Sequence, residues 1–504
     1  MSLFGGVGRA ITSKAPEFPD KFTWLNTEKP LSIAKLKGYV VVLDFWTYAC
    51  INCMHMLPVL ARLEDAYRNA PVVIIGVHSA KYTEEQKPEN ITEAISRYEV
   101  RHPVIVDQGM QIWKAYGANA WPTLVVIDPT GSIAYKRAGE RSETELGAII
   151  EMLLEQKKGV LAKEPLKIER PKTQRPASTL SYPGKMSFSR DGSAFALSDS
   201  NHNRVLIVET QTGKVLDAIG TGKRGFVSGK FESCALFRPQ GVLWDGDDTV
   251  YIADTENHAV RIADLKGRKL NTIVGTGMPS GFYPFEYTGA GTNTAINSPW
   301  DIAVYENRLI IAMAGMHQLW AYEPKSGLAF PFAGSGRESL VDGQLQNAQL
   351  AQPSGLSVED DHLFVADSES SSVRSVDMKQ RFVSTVVGEG LFIFGKKDGG
   401  VVDARLQHPI GLCAKKGLVY VADTYNSAIR LIDVKKATVS TIIGTPTEKS
   451  MCRYGDKGCD TLGLYEPSDV KTIGNDLYIV DTNNHLVRTF NLEEMMLKTL
   501  EIKI

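Results

Sequence analysis

The sequence predicts two domains of different class, an α/β domain at residues 16–165 and an all-β six-bladed β-propeller at 181–504. Two observations carry that expectation. Ahead of residue 165, apolar strand-like runs alternate with helical stretches, the pattern of a central sheet covered by helices. From residue 181 onward one motif recurs six times at a steady period, the mark of a repeat architecture. The stretch between them, "LKIERPKTQRPASTL" at 166–180, is rich in Pro, Lys and Arg and reads as a linker. A chain of 504 residues also exceeds what one ordinary core accommodates.

In the first domain "YVVVLDFW" (39–46) and "PVVIIGVHS" (71–79) are buried-strand runs, and "PTLVVIDPTGSIAYKRAG" is a strand, a turn and a strand. Helical stretches lie at "MHMLPVLARLEDAYRN", "NITEAISRYEV" and "DQGMQIWKAYG". Chemistry concentrates where the first strand gives way to the first helix, at "WTYACINCMHMLP", with Cys50 and Cys53 two residues apart. A cysteine at a helix N-terminus meets unsatisfied backbone N–H groups and the positive end of the dipole, which favours a thiolate. Cys50 would then attack a disulfide, and Cys53, one turn inside the helix, would resolve the mixed disulfide.

Other readings of the pair stand beside this one. Both cysteines could fill a core. A zinc site of Cys50, Cys53 and His55 lacks a fourth ligand, so no metal is assigned. A peroxidase reading draws on Thr47-x-x-Cys50, but Leu43 stands where that motif has proline. His78, after a strand end, reads as a structural histidine. No cofactor is indicated.

Three features in order resemble the thioredoxin superfamily: Phe45-Trp46 before Cys50-Ile51-Asn52-Cys53, Asp44 six residues ahead of Cys50, and Trp121-Pro122-Thr123. The resemblance implies a buried acid at Asp44 that takes the proton from Cys53, and a cis proline at Pro122 facing the sulfurs. It implies catalytic roles for Cys50, Cys53, Asp44 and Pro122, and binding roles for Trp46, Trp121 and Thr123. Ile51-Asn52 departs from the Gly-Pro of thioredoxin, and Tyr48-Ala49 from its usual Glu/Pro-Trp.

Each repeat opens on a Pro-x-Gly/Asp signal, at Pro239, Pro299, Pro353, Pro409 and Pro467, with a looser copy at Pro183. A second strand follows and ends in a common turn: "LSDSNHNRVLIV", "IADTENHAVRIA", "IAMAGMHQLWAY", "VADSESSSVRSV", "VADTYNSAIRLI" and "VDTNNHLVRTF". The prolines are 56, 60, 54, 56 and 58 residues apart. Each copy reads as three or four short strands, too small a sheet to bury both faces alone, whereas six arranged radially can. The copies resemble NHL repeats over 181–502. The last copy looks complete, and 166–180 is available to supply an edge for closing the ring.

Asp254, Asp367, Asp423 and Asp481, each followed seven residues on by Arg261, Arg374, Arg430 and Arg488, read as a repeated structural turn bond. The third copy breaks the rule, with Met313 at the Asp position and Trp320 at the Arg position. Two readings are open there. Met313, Met316, His317 and Trp320 form a partner or ligand contact, or they are drift compensated by packing. The turns and the Gly-rich links, such as "GTGKRGFVSGKFESCA", share one propeller face, where protein clients or partners would bind. Cys452 and Cys459, in one loop, read as free thiols.

A net charge of −2 and pI near 6.5 give no global attraction to nucleic acid or an anionic membrane. No run of about 18 apolar residues suggests a span, and "MSLFGGVGRAITSKAPEFP" lacks the apolar core of a secretory signal. Six cysteines make no disulfide scaffold, so the expected compartment is the cytosol. Phrases such as "WLNTE", "CINC", "GVHSAK", "FAGSG" and "VADSES" make the whole chain resemble the NHL repeat-containing protein 2 family. That family usually carries a further β-rich C-terminal domain. The resemblance implies a cytosolic protein needed for development and cell viability. Two functions are therefore carried forward: a thiol–disulfide oxidoreductase or redox sensor whose propeller selects the client, and a non-enzymatic interaction scaffold.

Overall fold

The structure, a computed structural model, describes residues 13–171, 178–281, 283–444 and 463–504 and divides into two units, Met1–Arg175 and Pro176–Ile504. Cys452 and Cys459 lie outside the described residues. In the first unit a six-stranded sheet comprises β1 (Trp24–Leu25), β2 (Val40–Trp46), β3 (Val72–His78), β4 (Val104–Val106), β5 (Thr123–Ile127) and β6 (Ile133–Ala138), in the order β1-β4-β3-β2-β5-β6. Strand β2 is central and buried along its whole length, as its β-branched run requires. Alternation along it sends Val41, Leu43 and Phe45 to one core, and Val40 and Val42 to the other.

Helix α1 (Ile51–Ala66) covers the second core through Met56, Leu60 and Leu63. Pro58 sits inside it, so the Met54 carbonyl loses its usual helical donor. Helix α3 (Gln111–Tyr116) falls within a stretch the pattern marks as helical, and α2 (Pro88–Arg97) begins two residues ahead of another. Helix α4 (Glu143–Gln156) was not among them, although its start is written in the sequence. The Ser142 hydroxyl accepts the Glu145 N–H at 3.1 Å, and Leu146, Ile150 and Leu153 join the α1 core. The run that follows stays against this unit, with Leu166 and Ile168 packed on its core.

The second unit contains six antiparallel sheets among the described residues, the blades of a propeller. Each has four strands, as in the first blade: Met186–Phe188, Ala194–Asp199, Arg204–Glu209 and Val215–Ile219. In blades two to five the incoming link adds a short fifth strand on the outer edge, at Gly229–Lys230, Gly289–Ala290, Gly343–Gln344 and Gly399–Gly400. The added residues shorten the ladder left open to another chain. None of the described residues of the 166–180 stretch pairs as a blade edge. The outer strand of blade one meets the last residues instead, Val215 N–H donating to the Lys503 carbonyl at 2.8 Å and Ile502 entering the core.

The repeated turn fastens blade to blade. After the second strand comes one 3-10 turn closed by a left-handed residue: Asn203, His258, His317, Ser371, Ser427 and His485. The side chain of that residue accepts the backbone N–H of the residue before the next blade's proline. His258 takes Ser298 at 3.1 Å, His317 takes Gln352 at 3.1 Å, and His485 closes the ring on Tyr182 at 3.0 Å. A turn hydroxyl adds a second bond, Thr255 to the Pro299 carbonyl at 2.7 Å and Thr482 to the Pro183 carbonyl at 2.9 Å.

The repeated Asp and Arg are buried partners in blades two, four, five and six. Asp423 accepts the Gln407 N–H at 2.7 Å, the Asn426 amide at 2.7 Å and Arg430 Nη1 at 2.7 Å. Arg430 Nη2 reaches on to Asp398 of the link at 2.6 Å, so one arginine ties strand, turn and link together. Asp423→Ala removes the buried partner of Arg430 and leaves it only the half-exposed Asp398. We expect a loss of about 3–5 kcal/mol from propeller unfolding, read as a lower denaturant midpoint of the propeller transition.

Candidate active site

Strand β2 delivers the chain to Trp46, a loop crosses Thr47–Ala49, and Cys50 caps α1 with extended backbone (φ −83°, ψ 118°). Its carbonyl accepts the N–H groups of Cys53 and Met54, both at 3.1 Å, so the helix begins on the cysteine itself. Cys50 is half-buried and Cys53, one turn on, is sealed from solvent. The Trp121–Pro122 peptide bond is cis, and the Trp121 carbonyl oxygen lies 4.0 Å from Cys50 Sγ. The Trp121 indole N–H donates to the Ser79 carbonyl at 2.9 Å, and its ring lies on Trp113 with centroids 4.5 Å apart. Ser79 N–H in turn donates to the Trp46 carbonyl at 2.9 Å, so the ends of β2 and β3 and the β5 approach form one frame around the sulfur.

Beneath that frame lies Asp44, fully buried on β2, with neither carboxylate oxygen hydrogen-bonded among the described residues. Burial pushes its carboxyl from 3.8 up to about 8. The Cys53 thiol is raised well above its usual value, by burial first, then by its hydrogen bond to Cys50 and the charges of Cys50 and Asp44. The Asp44 charge thus adds to burial in making the Cys53 anion unfavourable in this dry pocket. His78 is buried between Trp46 (5.1 Å, edge-on) and Tyr48 (5.5 Å, stacked), and burial pushes its imidazole down to about 3.

The residues singled out in the sequence separate into three groups. Cys50, Cys53, Asp44 and the Trp121–Pro122 bond come together as one site. Trp46 and Thr123 hold that site from inside: Trp46 has no exposed surface, and the buried Thr123 hydroxyl donates to the Ala120 carbonyl at 2.7 Å. Neither can touch a client, which corrects their expected binding roles; Trp121 alone of the three reaches the surface. Met313, Met316, His317 and Trp320 lie in the other unit. Met313, Met316 and Trp320 are core residues and His317 is a blade fastener, so the expected contact surface is not formed by them. Their chemistry explains why. With methionine in place of the aspartate, an arginine would be an unanswered buried charge. Trp320 fills the space instead, against Tyr283 (5.5 Å) and Tyr287 (6.0 Å) of the link, with its N–H on Gln318 at 3.1 Å.

The remaining alternatives meet specific partners. His55 Nδ1 pairs with Glu140 at 2.7 Å, and no group of three or more His, Cys, Asp or Glu stands ready for a metal among the described residues. The Thr47 hydroxyl of the peroxidase reading donates to Glu85. Glu85 itself was absent from the sequence reading. It is one of two adjacent acids in "KYTEEQKP", and no spacing distinguishes it from Glu84, which pairs with Lys87 at 2.7 Å.

Comparison with known proteins extends both halves. The family described as Thioredoxin-like matches residues 38–133, and the NHL repeat matches 406–430. NHL repeat-containing protein 2 of Bos taurus is 37% identical over 515 residues, covering 95% of this chain and 70% of that protein. The chain belongs to the NHL repeat-containing protein 2 family. The chloroplastic protein Suppressor of Quenching 1 of Arabidopsis thaliana is 38% identical across 98% of this chain, which spans 48% of that protein's length. Thiol-disulfide oxidoreductase ResA of Halalkalibacterium halodurans is 27% identical over 124 residues, 24% of this chain and 67% of that protein. The family thus joins a thioredoxin-like domain related to thiol-disulfide oxidoreductases to a propeller of a kind that generally mediates protein interactions. Among the described residues, no helix is long and apolar enough to cross a membrane.

The Asp44 value sets a pH dependence. Between its ordinary 3.8 and about 8, the folded protein keeps a proton that the unfolded chain releases, so stability falls as pH rises through that window. Asp44→Asn removes the burden. In calorimetry the first unit of the variant should melt at the wild-type temperature near pH 4 and about 5 °C or more above it near pH 8.

Proposed function

We propose that this chain is a thiol–disulfide oxidoreductase whose attacking sulfur is Cys50, with the propeller as its client-binding platform. One observation carries the reading: a half-exposed cysteine caps a helix while its partner, one turn inside, shares a dry pocket with a carboxyl raised to about 8. A structural pair needs neither the exposed sulfur nor the unanswered acid.

In the proposed exchange the Cys50 thiolate attacks one sulfur of a client disulfide. A Cys50–client bond forms, the client S–S bond breaks, and the released client sulfur takes up a proton. Asp44 in its ionised form, a minor fraction at neutral pH given its value of about 8, accepts the Cys53 proton; the Cys53 sulfur displaces the client sulfur from Cys50, and that sulfur takes up a proton in its turn. The client leaves reduced and the enzyme holds a Cys50–Cys53 disulfide. A low-molecular-weight or protein dithiol returns the pair to the reduced state, receiving the disulfide itself. An extended client segment would lie along the Trp121 backbone, whose carbonyl faces Cys50 Sγ.

The propeller's links carry exposed apolar side chains, among them Phe226, Met278, Phe392 and Val402, on loops that a rigid ring holds in place. Client choice by those links suits the proposal. So does the cytosol, where a reducing thiol pool keeps such a pair as dithiol. The scaffold reading keeps the propeller role and drops the exchange.

A Cys53→Ser variant, challenged with a disulfide-bonded peptide, should accumulate a mixed disulfide through Cys50 that survives alkylation and is released by dithiothreitol. Cys50→Ser should form none, and reduction by the wild type should exceed that by either variant by about a hundredfold. Equal labelling of Cys50 and Cys413, a half-buried cysteine of the propeller, with no trapped peptide, would leave the scaffold reading standing.

A further inference from the structure

Glu85 lies in the short 3-10 turn Glu84–Gln86 after β3, with no exposed surface. Its carboxylate is shared between two loops. Oε1 accepts the Thr47 hydroxyl and the Ala49 N–H (2.9 Å), both from the loop that enters Cys50. Oε2 accepts the Lys81 N–H (2.9 Å) and the Tyr82 N–H (3.0 Å), both from its own loop. All four donors are neutral, and together they offer a bond for each of the lone-pair positions a carboxylate presents.

The location gives the contact its meaning. Strands β2 and β3 are adjacent and parallel, so the loops leaving them run side by side at the same sheet edge. Nothing of the strand ladder holds residues 47–49, because the β2–β3 register ends at Trp46 and His78. The Cys50 N–H turns back on the Thr47 carbonyl at 3.4 Å, so Thr47 in turn determines where Cys50 begins the helix. A displacement of the Thr47–Ala49 loop would carry the Cys50 sulfur off the axis of the helix N-terminus and away from the Trp121 carbonyl. A thiolate depends on that placement, since the dipole's influence is confined to the first turn.

We propose that Glu85 is a positioning residue of the thiol centre, bracing the loop that presents Cys50 through one carboxylate held in common by two loops. It touches neither reacting sulfur and acts through Thr47 and Ala49. Burial pushes its carboxyl up to about 7, against the pull of its hydrogen bonds to Thr47, Tyr82, Lys81 and Ala49, so above neutrality the acceptor form predominates. The inference rests on Cys50 as the attacking sulfur, and its test reads Cys50 directly, without needing a client.

The full chain, reduced and at pH 8, is treated with iodoacetamide, and alkylation of Cys50 and Cys413 is followed by peptide mass spectrometry. Cys413 lies in the other unit and serves as the internal reference. Glu85→Ala should slow Cys50 relative to Cys413 by about tenfold or more. Glu85→Gln keeps a carbonyl oxygen for Thr47 and Ala49 but turns an NH2 toward the Lys81 and Tyr82 N–H groups, and should fall between Glu85→Ala and the wild type. Equilibration with glutathione should show the same ranking, with the Cys50–Cys53 disulfide constant shifted in Glu85→Ala and partly restored in Glu85→Gln. An unchanged Cys50 to Cys413 ratio in Glu85→Ala, or a Glu85→Gln variant as slow as Glu85→Ala, overturns the proposal. Should Glu85→Ala fail to fold, Thr47→Val decides. It removes one of the two donors from the Cys50 loop and should slow Cys50 by about threefold, and a wild-type rate overturns the proposal. Loss of peptide trapping with Cys50 alkylation intact in the wild type would count against the exchange function and leave the brace in place.

Discussion

A carboxylate taken out of water must be answered by donors or keep its proton, and that constraint orders both halves of this chain. In the propeller each repeated aspartate is answered by a backbone N–H, a turn side chain and an arginine. For Asp254 these are Phe237 N–H at 2.8 Å, Asn257 at 2.8 Å and Arg261 at 2.7 Å. Inside the ring Asp301 is answered by Lys185 at 3.2 Å and the Leu356 N–H at 2.9 Å. Glu85 is answered by four neutral donors. Asp44 alone among these has none, and its carboxyl is held up to about 8 where that of Asp254 rises to about 6.

The contrast separates architecture from chemistry. An answered carboxylate is a bracket: Asp423 and Arg430 cannot be understood singly, since each makes the other's burial tolerable. Blade three shows the same rule from the other side. It loses acid and base together and closes the seam with Met313, Trp320 and two tyrosines, because half of the pair would be worse than none. An unanswered carboxyl brackets nothing. Its presence lowers the stability of the fold at neutral pH, so a packing role does not account for it.

How much of this the sequence disclosed follows from the range of each interaction. The copies were legible because their fasteners are local: in four of them Asp, Ser or Thr, a polar turn residue and a left-handed residue fall within five positions, with arginine three beyond. The thioredoxin-like order of Asp44, Cys50, Cys53 and Pro122 was legible for a related reason, since strand, turn and helix fix their spacing. Glu85 was not, because its partners Thr47 and Ala49 are 38 and 36 residues away and are reached through an oxygen shared with backbone N–H groups, which leave no mark on residue identity. Met313 and Trp320 were visible as exceptions, but their burial depends on Tyr283 and Tyr287, in a link whose course the repeat does not dictate. Helix α4 carried its N-cap serine in plain view. The edge of blade one is closed by Lys503 through backbone bonds alone, which any residue could make.

Within the proposed exchange, the same electrostatics impose an order on the two sulfurs. While Cys50 is free, its hydrogen bond and charge add to burial and to Asp44 in holding the proton on Cys53. The resolving sulfur is therefore kept inert as long as no client is attached. Once Cys50 is bonded to a client sulfur it carries no charge, and one of the terms opposing the Cys53 anion vanishes. The ionised fraction of Asp44, which grows as pH approaches about 8, then receives the proton. Attack by Cys53 becomes easier when, and because, there is a bond for it to break.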